Sequence, residues 1–156
     1  MLKLYFNILF FGFLVSCKST PTNTSSEASY TTTRLPFSEL VTTSHSNIKE
    51  SKLLIIESKA SLYSIYNNIN KTRRPGYPIP KIDFEKYTVI GLFMGMQNTG
   101  GNSITIDHIK TNARETIVYY REHKSSGITT SIITQPCYIA SIKKTNKPIR
   151  FEILNK

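Results

Sequence analysis

Apolar and polar positions fall into short blocks along this chain, and only one block has a helical period. Leu62, Ile65, Tyr66 and Ile69 stand at i, i+3, i+4 and i+7, a spacing that lines up one apolar stripe on a helix. Ser58 just ahead is a natural N-cap. The pattern ends before Arg73-Arg74-Pro75-Gly76, and Pro78 and Pro80 keep the next residues extended or turning. Upstream, Phe37-Ser38-Glu39-Leu40-Val41 predicts a strand. The unbroken run Leu53-Leu54-Ile55-Ile56 predicts a buried one. Downstream, Tyr87 to Met96 is apolar on both alternations, which predicts a central strand covered on both faces. Ile104 and Ile106 alternate with polar neighbours. Thr116 to Glu122 places Tyr119 and Tyr120 on opposite faces, and Ile128 to Thr134 alternates again. Tyr138 to Ile142 is the next strand, and then come Ile149, Phe151 and Ile153 with Arg150 and Glu152 between them. The breaks fall at Asn98-Thr99-Gly100-Gly101, Asn112-Ala113, Gly127, Pro136 and Thr145 to Pro148, residue types that supply turn geometry. One helix and then a run of strands predicts an α+β domain. Its amphipathic helix would pack on a mostly antiparallel sheet, either open or curled into a sandwich or partial barrel.

The first residues obey a different rule. Lys3 precedes an apolar stretch, Leu4 to Val15, which ends in small residues, the layout of a secretory signal peptide. The stretch is shorter than the roughly 20 apolar residues that a bilayer span needs. Its end, Leu14-Val15-Ser16-Cys17, resembles a bacterial lipobox. That resemblance implies cleavage before Cys17 and lipid on its thiol and new amino group, and several acyl chains hold a membrane far better than one. From Lys18 to about Thr33 the sequence is rich in Ser and Thr with no apolar periodicity, so a tether is expected. The expected organisation is a signal peptide over 1–16, a lipidated Cys and tether over 17–36, and one domain over 37–156.

Charge narrows the partners. The 156-residue chain carries a formal net charge of +10, which favours anionic surfaces. Export argues against nucleic acid. With Cys17 lipidated, Cys137 has no partner in the chain, and its place after Pro136 at the start of a strand suits a buried thiol better than a nucleophile. His45, His108 and His123 are far apart and lack metal-ligand spacing. Asp107 and His108 are neighbours on a predicted strand, which would send them to opposite faces. No Gly-x-Ser-x-Gly elbow appears. No enzyme, metal, cofactor or small-molecule substrate is expected from these residues. Asp83 reads as a structural residue that caps a turn before a strand.

From His45 to Leu154 the chain resembles the PrcB family, named for a protease-complex subunit. The resemblance rests on His45-Ser46-Asn47-Ile48, on Pro80-Lys81-Ile82-Asp83-Phe84, on Gly95 with Asn98-Thr99-Gly100-Gly101-Asn102-Ser103-Ile104, and on Gln135-Pro136-Cys137-Tyr138. Asn47 stands where the family often has Gly, and Asn tolerates the left-handed region. Asn102 stands where it usually has Tyr. The resemblance implies a β-rich domain, with Asp83, Phe84, Pro136 and Cys137 as structural positions, that associates with another exported protein such as a protease. The expected function is that of a lipoprotein of the cell envelope, anchored to a bacterial membrane through Cys17, which serves as a non-catalytic binding or assembly module. The alternative is a protease inhibitor or regulator that inserts a loop, as chagasin-type inhibitors do with a similar Thr-Gly-Tyr loop. Thr99, Gly100, Gly101 and Asn102 are the expected partner-binding residues, on a segment that is either a plain hairpin turn or a recognition loop. Arg73, Arg74 and Tyr77 are the next place to look.

Overall fold

The helical stripe finds its sheet. The computed structural model describes residues 32–155, so the signal peptide, Cys17 and most of the expected tether lie outside the described residues. The helix α1 (Lys59–Ile69) starts at Ser58, whose hydroxyl accepts from the Ser61 N–H, and it buries Leu62, Ile65, Tyr66 and Ile69. A 3₁₀ turn, Asn70–Thr72, closes it. Asn47 adopts φ 59°. From there its amide donates to the carbonyl of Asn68 and to the Thr72 hydroxyl, at 3.1 and 3.0 Å, which satisfies groups that a helix C-terminus leaves open.

Among the described residues, eight strands form two sheets. They are β1 (Thr33–Arg34), β2 (Phe37–Thr43), β3 (Ser51–Ile56), β4 (Tyr87–Met94), β5 (Ser103–Thr111), β6 (Thr116–His123), β7 (Cys137–Lys143) and β8 (Ile149–Ile153). One sheet has the order β2-β7-β4-β3 and the other β1-β5-β6-β8. Every pairing is antiparallel except β6 with β8. The architecture is α+β, and the sheets do not close into a barrel.

β4 and β7 explain the layering. On β4, Val89 and Phe93 face the helix while Ile90, Leu92 and Met94 face the second sheet. On β7, Cys137 and Ile139 face the helix, and Tyr138, Ala140 and Ile142 the second sheet. Strands this apolar on both alternations need cover on both sides. Helix α1 supplies one cover, with Leu62, Ile65, Tyr66 and Ile69 in the same cluster as Val89, Phe93 and Ile139. The second sheet supplies the other, through Ile104, Ile106, Ile109 and Val118.

Four expectations need correction. Strand pairing begins at Thr33 rather than near Phe37: Thr33 and Arg34 pair with Thr111 and Lys110, and the Leu35 N–H donates to the Ile109 carbonyl at 2.9 Å. This segment has no alternation to betray it, because two residues of backbone pairing hold it. β3 is an edge strand with Ile55 41% exposed, since only β4 pairs with it. Ile128 to Ile133 is a loop, and Thr134 and Gln135 make only isolated bridges. Both edges of the preceding β6 are taken, by β5 and β8, so an alternating segment there has no adjacent edge to join. Finally, Asp107 and His108 do meet. A bulge between Ile106 and His108 breaks the alternation of β5, and His108 Nδ1 lies 2.5 Å from Asp107 Oδ2.

Candidate functional site

The Asn98 to Asn102 segment is not the tip of a hairpin. β4 and β5 lie in different sheets, and the chain between them crosses from one to the other. Gly95 starts the crossing. Its φ is +72°, and a Cβ there would sit 2.6 Å from the Ser51 nitrogen and 2.8 Å from the Lys49 oxygen, both backbone atoms that cannot move aside. Gln97 then exchanges backbone hydrogen bonds with Thr134, at 2.8 and 2.9 Å. The crossing therefore pairs with the long loop between β6 and β7.

Asn102 completes the union. It is 7% exposed, with its amide turned inward. Nδ2 donates to the Thr99 carbonyl at 2.7 Å and to the Thr99 hydroxyl at 3.0 Å. Oδ1 accepts from the Ser125 N–H at 3.0 Å. The Ser125 hydroxyl donates to the Gly100 carbonyl at 2.6 Å, and the Gly100 N–H to the Thr130 carbonyl at 3.0 Å. The Thr134 hydroxyl donates to the Thr99 carbonyl at 3.1 Å. The two loops are thus a single hydrogen-bonded unit. Of the expected contact residues, Gly101 (φ +80°) is exposed, Thr99 and Gly100 are half-buried, and Asn102 is interior framework.

The unit exposes four large apolar side chains among polar ones such as Asn98, Lys124, Thr130 and Ser131. Ile128 is fully exposed, Ile132 and Ile133 are 45% and 56% exposed, and Met96 is 50% exposed. Ile132 lies against Gly100, where an added Cβ would sit 3.2 Å from its Cγ2. The sequence reading missed these side chains because it assigned Ile128 to Thr134 to a strand. The signal was there all the same: a turn-breaking Gly127 and then isoleucines among threonines and serines.

The other singled-out residues sit at a turn, at a strand end or in the packed core. Asp83 Oδ1 accepts from the Glu85 N–H at 3.1 Å and Oδ2 pairs with Lys86 Nζ at 3.1 Å. The Lys86 bond, helped by the Glu85 N–H, holds its carboxyl below the usual carboxylate range. Phe84 packs on the helix-side cluster. The Pro136 carbonyl accepts from the Met94 N–H at 3.0 Å. Cys137 is 1% exposed, and burial pushes its thiol up to about 12.

Asp107 and His108 make the one acid–imidazole pair among the described residues that chemistry could borrow. Asp107 is held below the usual carboxylate range by His108 first and Arg121 second, and Arg121 Nε donates to its other oxygen at 2.8 Å. His108 stacks on Tyr119 with centroids 4.5 Å apart. Its Nε2, the nitrogen that would take a proton from a nucleophile, is shut from solvent with no partner. Among the described residues no group of three His, Cys, Asp or Glu could hold a metal ion. No helix among them is long and apolar enough to cross a membrane.

The profile of the PrcB C-terminal family matches residues 88–143. This span runs from β4 to the end of β7 and contains both loops of the unit; the segments at His45 and Asp83 lie outside it. Comparisons with characterised proteins and with solved structures found no match.

Proposed function

We propose that this protein is a non-catalytic docking module of the cell envelope, held to a bacterial membrane by lipid on Cys17, which binds an exported protein through its paired loops. The observation that carries the reading is the loop unit itself. Its backbone is fixed by at least six hydrogen bonds, yet it holds Met96, Ile128, Ile132 and Ile133 in solvent. Exposed apolar groups mark an interaction site where they gather into one patch, and covering one isoleucine contributes about 1.5–3 kcal/mol. The family match covers this same unit, and the family's protease-complex name makes a protease the first partner to look for. The loop-inserting inhibitor draws less support, because the residue at the place of the family's Tyr, Asn102, is turned inward.

The test is co-purification from membranes. The wild-type chain should bring down an exported protein, identified by mass spectrometry, without lowering that partner's activity. Ile128→Ser/Ile132→Ser/Ile133→Ser should lose it, and Cys17→Ala should move the complex off the membrane. Capture unaffected by the triple substitution would refute the loop surface. Membrane retention of Cys17→Ala would refute the anchor.

A further inference from the structure

On the other flank of Asn102 lies a groove that the docking surface does not use. It has two compartments sharing Arg73. The larger, about 420 Å³, runs past Thr43, Tyr77, Asn102, Ile104, Pro136 and Cys137. The smaller, about 380 Å³, is lined by His45, Thr72, Arg73 and Arg74. No carboxylate lines either compartment.

Neither Arg73 nor Arg74 has a carboxylate within ion-pair distance, and the same holds for Arg34. Arg121 pairs with Asp107, and Arg150 with Glu115 and Glu152. Arg73 and Arg74 bond only neutral oxygens. Arg73 Nη2 donates to the Thr43 hydroxyl at 3.2 Å. Arg74 Nη1 donates to the carbonyls of Asn70 and Arg73, at 3.1 and 2.8 Å. Arg73 is half-buried, and its Nε is closed from solvent without a partner. The Tyr77 ring lies against it, with Cζ 4.4 Å from the centroid. A guanidinium partly stripped of water and paired with no anion gains most from a carboxylate, which a guanidinium can grip with two parallel bonds.

We infer that this groove takes an extended acidic peptide segment of the docked partner, with a Glu or Asp carboxylate against Arg73 and Arg74. The inference rests on the reading that the partner is a protein. Three features favour a peptide over a bare anion or a lipid headgroup. The larger compartment continues past the half-exposed Tyr77 ring, which a neighbouring aliphatic side chain would cover and a phosphate would not. The groove shares Asn102 with the paired loops, so one partner can lie across both. The net charge of +10 draws acidic segments toward the domain.

The experiment uses the full chain in detergent micelles and a fluorescein-labelled peptide of alternating Glu and Val, read by anisotropy. The Glu peptide should bind at least about tenfold tighter than its Gln counterpart. Arg73→Gln should lose about that factor. Arg73→Lys should lose part of it, because an ammonium keeps the charge without the fork. Lys144→Gln should leave binding unchanged, as should Ile128→Ser/Ile132→Ser/Ile133→Ser. The triple variant therefore separates this groove from the loop surface, since it tests partner capture alone. Equal binding of the Glu and Gln peptides would overturn the inference. So would full affinity in Arg73→Gln, displacement of the peptide by millimolar inorganic phosphate, or Arg73-dependent binding to phosphatidylglycerol vesicles with none to the peptide. Should Arg73→Gln fail to fold, Arg73→Lys and Arg74→Gln decide the matter by the same criteria.

Discussion

Helix α1 and the loop from Ile128 to Ile133 are both isoleucine-bearing segments whose spacing promised a buried face, and only one of them is buried. In the helix, Leu62, Tyr66 and Ile69 are at most 1% exposed. In the loop, Ile128, Ile132 and Ile133 stand in solvent. The helix stripe meets the open side of a sheet whose central strands are apolar on both faces. The loop comes after β6, whose edges are already occupied. Periodicity says which side chains can share a face; whether that face is covered depends on a neighbour that the segment itself does not encode. The loop isoleucines therefore stay in solvent, whereas the helix stripe is buried against its own chain.

The largest effect should come from cutting into the covered side. Ile69 is 0% exposed, so Ile69→Ala removes buried methyl and methylene groups and leaves a cavity, at a cost of about 2–5 kcal/mol. Chemical denaturation should show a lower midpoint with an unchanged slope. No shift would mean that the stripe is not docked and would erase the contrast with the loop.

A smaller loss, about 1–3 kcal/mol, is expected for Asn102→Ala, which leaves the Ser125 N–H and the Thr99 hydroxyl without Asn102 and takes one of two donors from the Thr99 carbonyl. Its distinguishing readout is local. Hydrogen exchange should rise at Gly100 and Ser125 before it rises in β4 or β7. Uniform exchange across the domain would show that the loops have no separate stability.

The same contrast sets how much was legible in the sequence. The helix with its cap, the doubly covered β4, and the positions of β5 to β8 could be read, because each rests on local spacing that the tertiary structure also uses. Asp83 as a turn cap and Asn47 in the left-handed region were legible for the same reason. The division into two sheets was not, since a crossing and a hairpin both ask for glycines and asparagines. Nor was the pairing of Asp107 with His108, which needs a bulge that alternation cannot announce. Thr99 to Asn102 lie in a crossing between the two sheets rather than at the expected hairpin tip. Asn102 bonds inward, and the side chains that face out belong to a segment about 30 positions later.

Alkali should act on the covered side alone. Burial raises the thiol of Cys137 from 9.0, and the phenols of Tyr66 and Tyr138 from 10.0, each to about 12. All three belong to the packed clusters on either side of the β4–β7 sheet. Between its unfolded and folded values each group holds its proton in the folded chain and loses it in the unfolded one. Stability is then complete below about pH 9 and declines as pH rises toward 12. Tyr66 Oη has no hydrogen-bond partner, so Tyr66→Phe should fold normally and soften the decline. Melting temperatures from pH 8 to 11 would check this. A curve as steep in Tyr66→Phe as in the wild type would remove Tyr66 from the account.

The smallest effect on stability is the most informative. Ile128→Ser/Ile132→Ser/Ile133→Ser changes three exposed side chains, of which Ile132 is the least exposed at 45%, and surface substitutions usually stay within about 0.5 kcal/mol each. The side-chain bonds that hold the loops involve Thr99, Asn102, Ser125 and Thr134, which are unaltered, and the Ile132 N–H that donates to the Thr130 carbonyl is backbone and survives the change. Melting should therefore match the wild type closely while partner capture fails. The two measurements separate the two origins that an exposed isoleucine can have. If the side chains close over the core in solution, the triple variant melts early and the loop resembles the helix after all. If they are kept for a partner, stability holds and association falls, and the one change that leaves the fold alone is the one that removes its use.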